Sequence, residues 1–280
     1  LKSILPYLCF NTGLEEAVEL YTQLFPNSTI KNKISFPNLS SPDSKILSIS
    51  FQLWGQDFLA LSGGPTFSFT PAISFFVSCN TPQEVDKYWT TLSKDGEILM
   101  DLGQYPFNQR YGWCNDRFGL SWQISLTKNS QRITPFVMFI GENYGKAQEA
   151  IDFYTHIFPK SNIVNPDDKR FTLYDLEFRI FENNFPHTFH LTPAISFYVS
   201  CDTQEEIDQY WYQLSEHGEQ QMCGWLKDKY GISWQIIPSN FEHYVLDNDE
   251  KRRKRVFDKI LSMKKIEMNT LIRAFEQNDS

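Results

Sequence analysis

At 280 residues the chain has room for two ordinary globular domains, and an aromatic content of 16%, with 24 phenylalanines, argues against disorder. A formal charge of −8 argues against a nucleic-acid partner, and no apolar run approaches the roughly 18 residues of a membrane span. Five cysteines that never form a Cys-x-x-Cys pair read as reduced thiols. With no charged-then-apolar leader, the expectation is a soluble, cytoplasmic protein without a membrane partner.

The first element is an apolar and aromatic run, Leu5–Phe10, suited to a strand. Leu14–Phe25 then sets Leu14, Val18, Tyr21 and Leu24 on one helical face. Ile46–Leu53 and Asp57–Ser62 flank Trp54-Gly55-Gln56 and predict a hairpin. After the turn signal Gly63-Gly64-Pro65 comes a strand over Ala72–Cys79. Thr81, Pro82 and Glu84 then open a helix with a capping box, and Gly96 stops it. A long loop follows to Gly112, and Leu120–Leu126 is a closing strand.

The order then begins again. Thr70–Gly96 and Thr192–Gly218 are identical at 17 of 27 positions, and Gly112–Ile124 is echoed by Gly224–Ile236. Ala17–Pro26 likewise answers Ala150–Pro159. A repeat this long is a pair of whole domains rather than a solenoid, joined near Thr127–Arg132. Asp247–Gln277 has no counterpart. Its acids precede the basic run Lys251–Arg255 and then Val256, Phe257 and Ile260, which predicts an amphipathic helix with a structural role.

Taken together, Pro6-Tyr7-x-x-Phe10, Ala17-x-x-x-Tyr21, Ala72-Ile73-Ser74-Phe75-x-Val77, Glu84-x-Asp86-x-Tyr88-Trp89 and Gly112-Trp113-x-x-Asp116-x-Phe118-Gly119-x-Ser121-Trp122-Gln123-Ile124 resemble the PhnB-like family. That family carries the label 3-demethylubiquinone-9 3-methyltransferase domain and sits in the glyoxalase/bleomycin-resistance/dioxygenase, or vicinal oxygen chelate, superfamily. The resemblance implies an α+β fold of two tandem domains, 1–128 and 132–280, the second with an extra helical tail. Each would hold two βαβββ modules whose strands form a cup-shaped mixed sheet with helices outside. It also implies that the domains pair as separate members would in a dimer, giving either a monomer with intramolecular pairing or a homodimer.

In metal-dependent relatives four ligands face into each cup. Carried onto this sequence, their places fall on Pro6, Ala60, Ala72 and Gln123, and on Pro135, Ile180, Ala194 and Gln235. Three of four cannot bind a metal, and all five histidines lie at or beyond His156, so no metal and no cofactor are expected. His187-x-x-His190 reads as two exposed loop imidazoles. Cys79 and Cys201 read as buried structural thiols, whereas Cys223 stays open as a weak nucleophile candidate. Trp89, Trp122, Trp211 and Trp234 are assigned to the core.

The ligand cup is expected in the first domain, lined by Leu8, Phe10, Phe58, Ala60, Ala72, Ser74, Phe76, Ser121 and Gln123. Tyr105, Phe107 and Arg110 form a candidate lid, and Gln235 is the second copy's equivalent amide. Ile180 and Tyr198 are expected to fill part of the second cup. Such walls suit a planar or amphipathic small molecule bearing a carbonyl or acid group. No Gly-x-Gly-x-x-Gly follows a strand and no nucleophile stands in an elbow or triad setting. The leading expectation is thus a metal-independent small-molecule-binding protein. An enzyme of unassigned reaction, a metal-dependent glyoxalase- or dioxygenase-like enzyme, and a protein-association module are the alternatives.

Overall fold

The computed structural model describes residues 3–37, 45–62, 66–127, 132–247 and 249–277. Its strands and helices follow one order four times. The first module holds β1 (Ile4–Phe10), α1 (Leu14–Leu24), β2 (Thr29–Pro37), β3 (Lys45–Leu53) and β4 (Gln56–Ser62). The second holds β5 (Ile73–Cys79), α2 (Pro82–Leu92), β6 (Glu97–Tyr105), β7 (Asn108–Asn115) and β8 (Ser121–Leu126). In the second repeat β9 (Arg132–Phe139), α3 (Ala147–Ile157), β10 (Ser161–Asn165), β11 (Arg170–Leu173) and β12 (Leu176–Glu182) make the third module. The fourth is β13 (Ile195–Cys201), α4 (Gln204–Leu214), β14 (Glu219–Gln220), β15 (Trp225–Lys227) and β16 (Ser233–Pro238). Short helices α5 (Phe241–Val245), α6 (Glu250–Ser262) and α7 (Met268–Glu276) form the tail.

Local chemistry accounts for the boundaries. Helix α1 buries Leu14, Ala17, Val18, Tyr21 and Leu24, the spacing of one helical face. At the start of α2 the Thr81 hydroxyl accepts from Glu84 N while the Glu84 carboxylate accepts from Thr81 N, closing the expected box. Gly96 is not the helix stop itself. The helix ends at Leu92, Asp95 takes the left-handed turn at φ 58°, and a Cβ on Gly96 would lie 2.2 Å from the Asn115 carbonyl. Gly218 meets the Lys227 carbonyl at the same 2.2 Å. The turn signal Gly63-Gly64-Pro65 and the interior of the Thr127–Arg132 join lie outside the described residues.

The α+β class and the four βαβββ modules are as the sequence implies. The pairing of modules is not. One eight-stranded sheet runs β14-β15-β16-β13-β1-β4-β3-β2 and the other β10-β11-β12-β9-β5-β8-β7-β6. Each sheet therefore joins the two repeats, module one with module four and module two with module three, through the antiparallel pairs β1·β13 and β5·β9. Connection length explains this. The five residues between Leu126 and Arg132 span at most about 20 Å, so β9 must begin close to the end of β8, where the free edge of β5 is the nearest place to pair.

On the helix side the modules of one repeat meet instead. Phe58 of β4 packs edge-on to Phe75 of β5 at 5.4 Å, and Phe25 lies 5.7 Å from Trp122. Phe178 and Phe197 repeat the first contact at 4.7 Å, and Phe158 and Trp234 the second at 5.6 Å. A buried aspartate ties each such core. Asp116 accepts from the Tyr21 hydroxyl, Trp122 Nε1 and the backbone N–H groups of Phe118 and Leu120. Asp228 accepts from Tyr154, Trp234, Tyr230 N and Ile232 N in the same way. The motif residues shared by the repeats are thus largely the parts of one hydrogen-bonded knot, which satisfies a carboxylate taken out of water.

Candidate functional site

The concave face of the second sheet encloses a cavity of ≈ 550 Å³. Period-two alternation decides which side chains reach it. Along β5, Phe75 and Val77 go under the helices while Phe76 and Ser78 face inward. Strand β8 sends Gln123 and Ser125 inward, β7 sends Tyr111 and Trp113, β9 sends Thr134, Phe136 and Met138, and β12 sends Glu177, Arg179 and Phe181. The site therefore lies at the seam between the repeats.

Its polar groups are mostly fixed. The Tyr111 hydroxyl donates to Gln123 Oε1 at 2.7 Å, and Gln123 Nε2 donates to Ser74 Oγ at 2.8 Å. Trp113 Nε1 is held by Ser121 Oγ at 2.9 Å, and Asn108 Nδ2 by Ser125 Oγ at 2.8 Å. Burial pushes the Tyr111 phenol well above its ordinary range, so it stays protonated and keeps donating. On the opposite wall Glu177, 7% exposed, takes Arg132 and Arg170, while Asp168 takes Arg170. The Arg179 guanidinium lies 5.0 Å from the Phe76 ring centre and 5.5 Å from that of Phe136.

Family and structural likeness follow from this frame. The profile of the family described as 3-demethylubiquinone-9 3-methyltransferase matches twice, over residues 2–125 and 131–237. The chain belongs to this family. Among solved structures, the PhnB protein of Bacillus cereus is 38% identical, over 43% of this chain and 96% of that one, with a TM-score of 0.40. A Staphylococcus aureus protein is 32% identical over 44% of this chain and 94% of that one, with a TM-score of 0.19. Glyoxalase I from Zea mays covers 89% of this chain and 98% of its own at 13% identity and a TM-score of 0.55, a likeness of fold. That fold is the one which the resemblance to the vicinal oxygen chelate superfamily implies. No curated protein matches the chain.

Several site expectations for this family member need correction. Leu8, Phe10, Phe58 and Ala60 belong to the helix-side core, because β1 and β4 present Tyr7 and Leu59, not their neighbours, to the concave face. Ala72 precedes β5 and lines an adjoining hollow of ≈ 560 Å³ by the Asn184–Leu191 segment, a hollow that shares Met138 and Phe185 with the cavity. Arg110 turns outward to Asp86 on α2, so it is no lid. The expected loop there is the β6–β7 hairpin, whose tip residue Phe107 is 66% exposed, stacks on Tyr105 and meets Tyr111 edge-on. Phe76 and Gln123 line the cavity, with Ser74 and Ser121 one bond behind it. Gln235 occupies the equivalent place in the other cup, donating to Ser196 Oγ at 2.9 Å.

That other cup differs in kind. Ile180, expected to crowd it, is in the helix-side core of the third module. Tyr198 does face it, stacked at 6.5 Å on Tyr7, and with Ile237 and Cys223 it packs against Tyr244, Val245 and Ile266 of the tail. Backbone N–H groups of Cys223 and Gly224 donate to the carbonyls of Met263 and Lys264. The tail, which forms two helices beyond α5 where one was expected, thus closes the side that the β6–β7 hairpin closes in the first repeat.

A metal of the superfamily's kind does not fit the residues present. Moving Pro135 and Ile180 by one onto the side chains that face the cavity gives Phe136 and Arg179, neither a donor, Ala72 has no donor atom, and Glu177 is already held by two arginines. Among the described residues no group of three or more His, Cys, Asp or Glu could hold a metal ion. Burial pushes the Cys79 and Cys114 thiols up to about 12, far from nucleophilic form, and raises Cys223 as well. No helix among the described residues is long and apolar enough to cross a membrane.

Proposed function

We propose that the protein binds one small organic molecule in the cup shared by modules two and three, without a metal. The observation that carries this reading is the difference between the cups. One keeps ≈ 550 Å³ of open, aromatic-walled space with hydrogen-bonded polar groups at its floor, while the chain's own tail packs into the mouth of the other. Methyl transfer, which the family's description names, has less support. The sheets are mixed and largely antiparallel, and among the described residues no glycine-rich strand-to-helix turn offers a place for adenosyl-methionine of the common kind.

Native mass spectrometry of the purified chain, followed by calorimetric titration of a small-molecule panel, tests the reading. Binding at one molecule per chain that weakens at least about ten-fold in Phe136→Ala is the expected result. Two equivalents per chain, or affinity indifferent to Phe136, would remove the cup from consideration.

A further inference from the structure

Resting on that reading of the cup, the charges on its wall say more about what it holds. The cavity is lined by two guanidiniums, Arg170 and Arg179, and two carboxylates, Asp168 and Glu177, and Arg132 also binds Glu177. Glu177 is taken by Arg132 and by Arg170, the latter at 3.6 Å. Arg170 Nε donates to both oxygens of Asp168, at 3.0 and 2.9 Å. What is left for Arg179 is Asp168 at 3.8 Å, beyond hydrogen-bonding distance. Its guanidinium rests on Phe76 and Phe136 instead. A guanidinium lying on aromatic rings still presents N–H groups at its edge, in the geometry that matches a planar oxyanion. Thr134, 3% exposed and also lining the cavity, adds a hydroxyl that makes no hydrogen bond among the described residues.

The other cup lacks both features. Strand register makes Leu59 the equivalent of Arg179, since each sits opposite the equivalent aromatics Tyr7 and Phe136. Leu5, opposite Tyr198, likewise replaces Thr134, opposite Phe76. A guanidinium without a hydrogen-bonded carboxylate, resting on aromatic rings, therefore occurs in one cup only. We propose that the cup takes a planar aromatic acid, its anionic group on the edge of Arg179 and its ring against Phe136 and Trp113.

The test is calorimetric titration of the full chain with 2-naphthoate and with its neutral isostere 2-naphthamide. The acid is expected to bind at one per chain and at least about ten-fold tighter than the amide, the advantage of a charge-assisted contact. Arg179→Gln should erase that advantage by weakening the acid while leaving the amide within about two-fold, and Arg179→Lys should restore part of it. Urea midpoints of both variants check folding. If neither variant folds, the ratio for the unaltered protein still decides. Equal binding of acid and amide at one per chain would overturn the anion assignment and leave the cup as a binding site. Failure of both to bind would overturn the two together.

Discussion

Asp228 shows how a shared motif residue serves the fold and not the site. Its carboxyl is pushed up to about 6, chiefly by burial, against hydrogen bonds that pull it down. An aspartate that holds its proton more tightly folded than unfolded stabilises most below about pH 4, and that contribution is lost as pH rises through about 6. Asp228→Asn puts an amide N–H₂ where the carboxylate accepts from Tyr154 and Trp234, so a loss of about 1–3 kcal/mol is expected by urea denaturation. The margin over this non-titrating variant should narrow between pH 4 and 6, and a margin constant across that range would contradict the protonation assigned to the folded state. In the site, Phe76 and Gln123 could be read from alternation because their neighbours Phe75 and Trp122 are core aromatics of the repeated motifs. On β1 and β4 the same reading took the wrong phase. Both faces of those strands carry apolar side chains, and hydrophobicity alone does not say which face meets helices. Arg179 was legible in principle, as the charged member of the Phe178-Arg179-Ile180 alternation.

Among the elements, the sequence hid β2 and, above all, the β6–β7 hairpin. The hairpin's pairing shifts register between Ile98 and Met100, between Met100 and Gly103, and again before Tyr105, so no steady period of two survives along β6. The tail was visible as an amphipathic segment, but its task was not, because the surface it covers comes from strands distant in sequence. Ile266 is fully buried there, and a Cβ on Gly224 would sit 3.1 Å from its side chain. Ile266→Ala should cost about 2–4 kcal/mol of unfolding free energy. Ligand affinity should stay unchanged, since no tail residue lines the open cup. An equal loss of affinity would mean that the two cups are coupled.

At the scale of the molecule, the four modules were legible and their pairing was not. The strands that compete for the same edges, β5 and β13, read Ile-Ser-Phe-Phe-Val-Ser-Cys and Ile-Ser-Phe-Tyr-Val-Ser-Cys, so pairing within a repeat or across repeats satisfies the same pattern. Only the short join breaks the tie. Residues 1–127 and 132–280 made as separate chains in one cell should therefore copurify as a one-to-one complex, because each sheet needs both. The first fragment alone should self-associate through β1 and β5. Size-exclusion chromatography of that fragment as a stable monomer would argue that its edges do not need filling.

The crossed sheets also set a timetable for biosynthesis. Strand β5 finds β9 soon after it is made, whereas Ile4 of β1 must wait for Val199. At about 5–20 residues per second, that leaves the first module's edge unpaired for roughly 10–40 s on the ribosome. By then every strand around the open cup, through β12 at Glu182, has been made. The cup able to hold a guest is completed first, while the strands and tail that shut the other are made later. A nascent chain thus carries its binding site before it has protected its own first strand, and that strand is where premature partners, chaperones included, should be found.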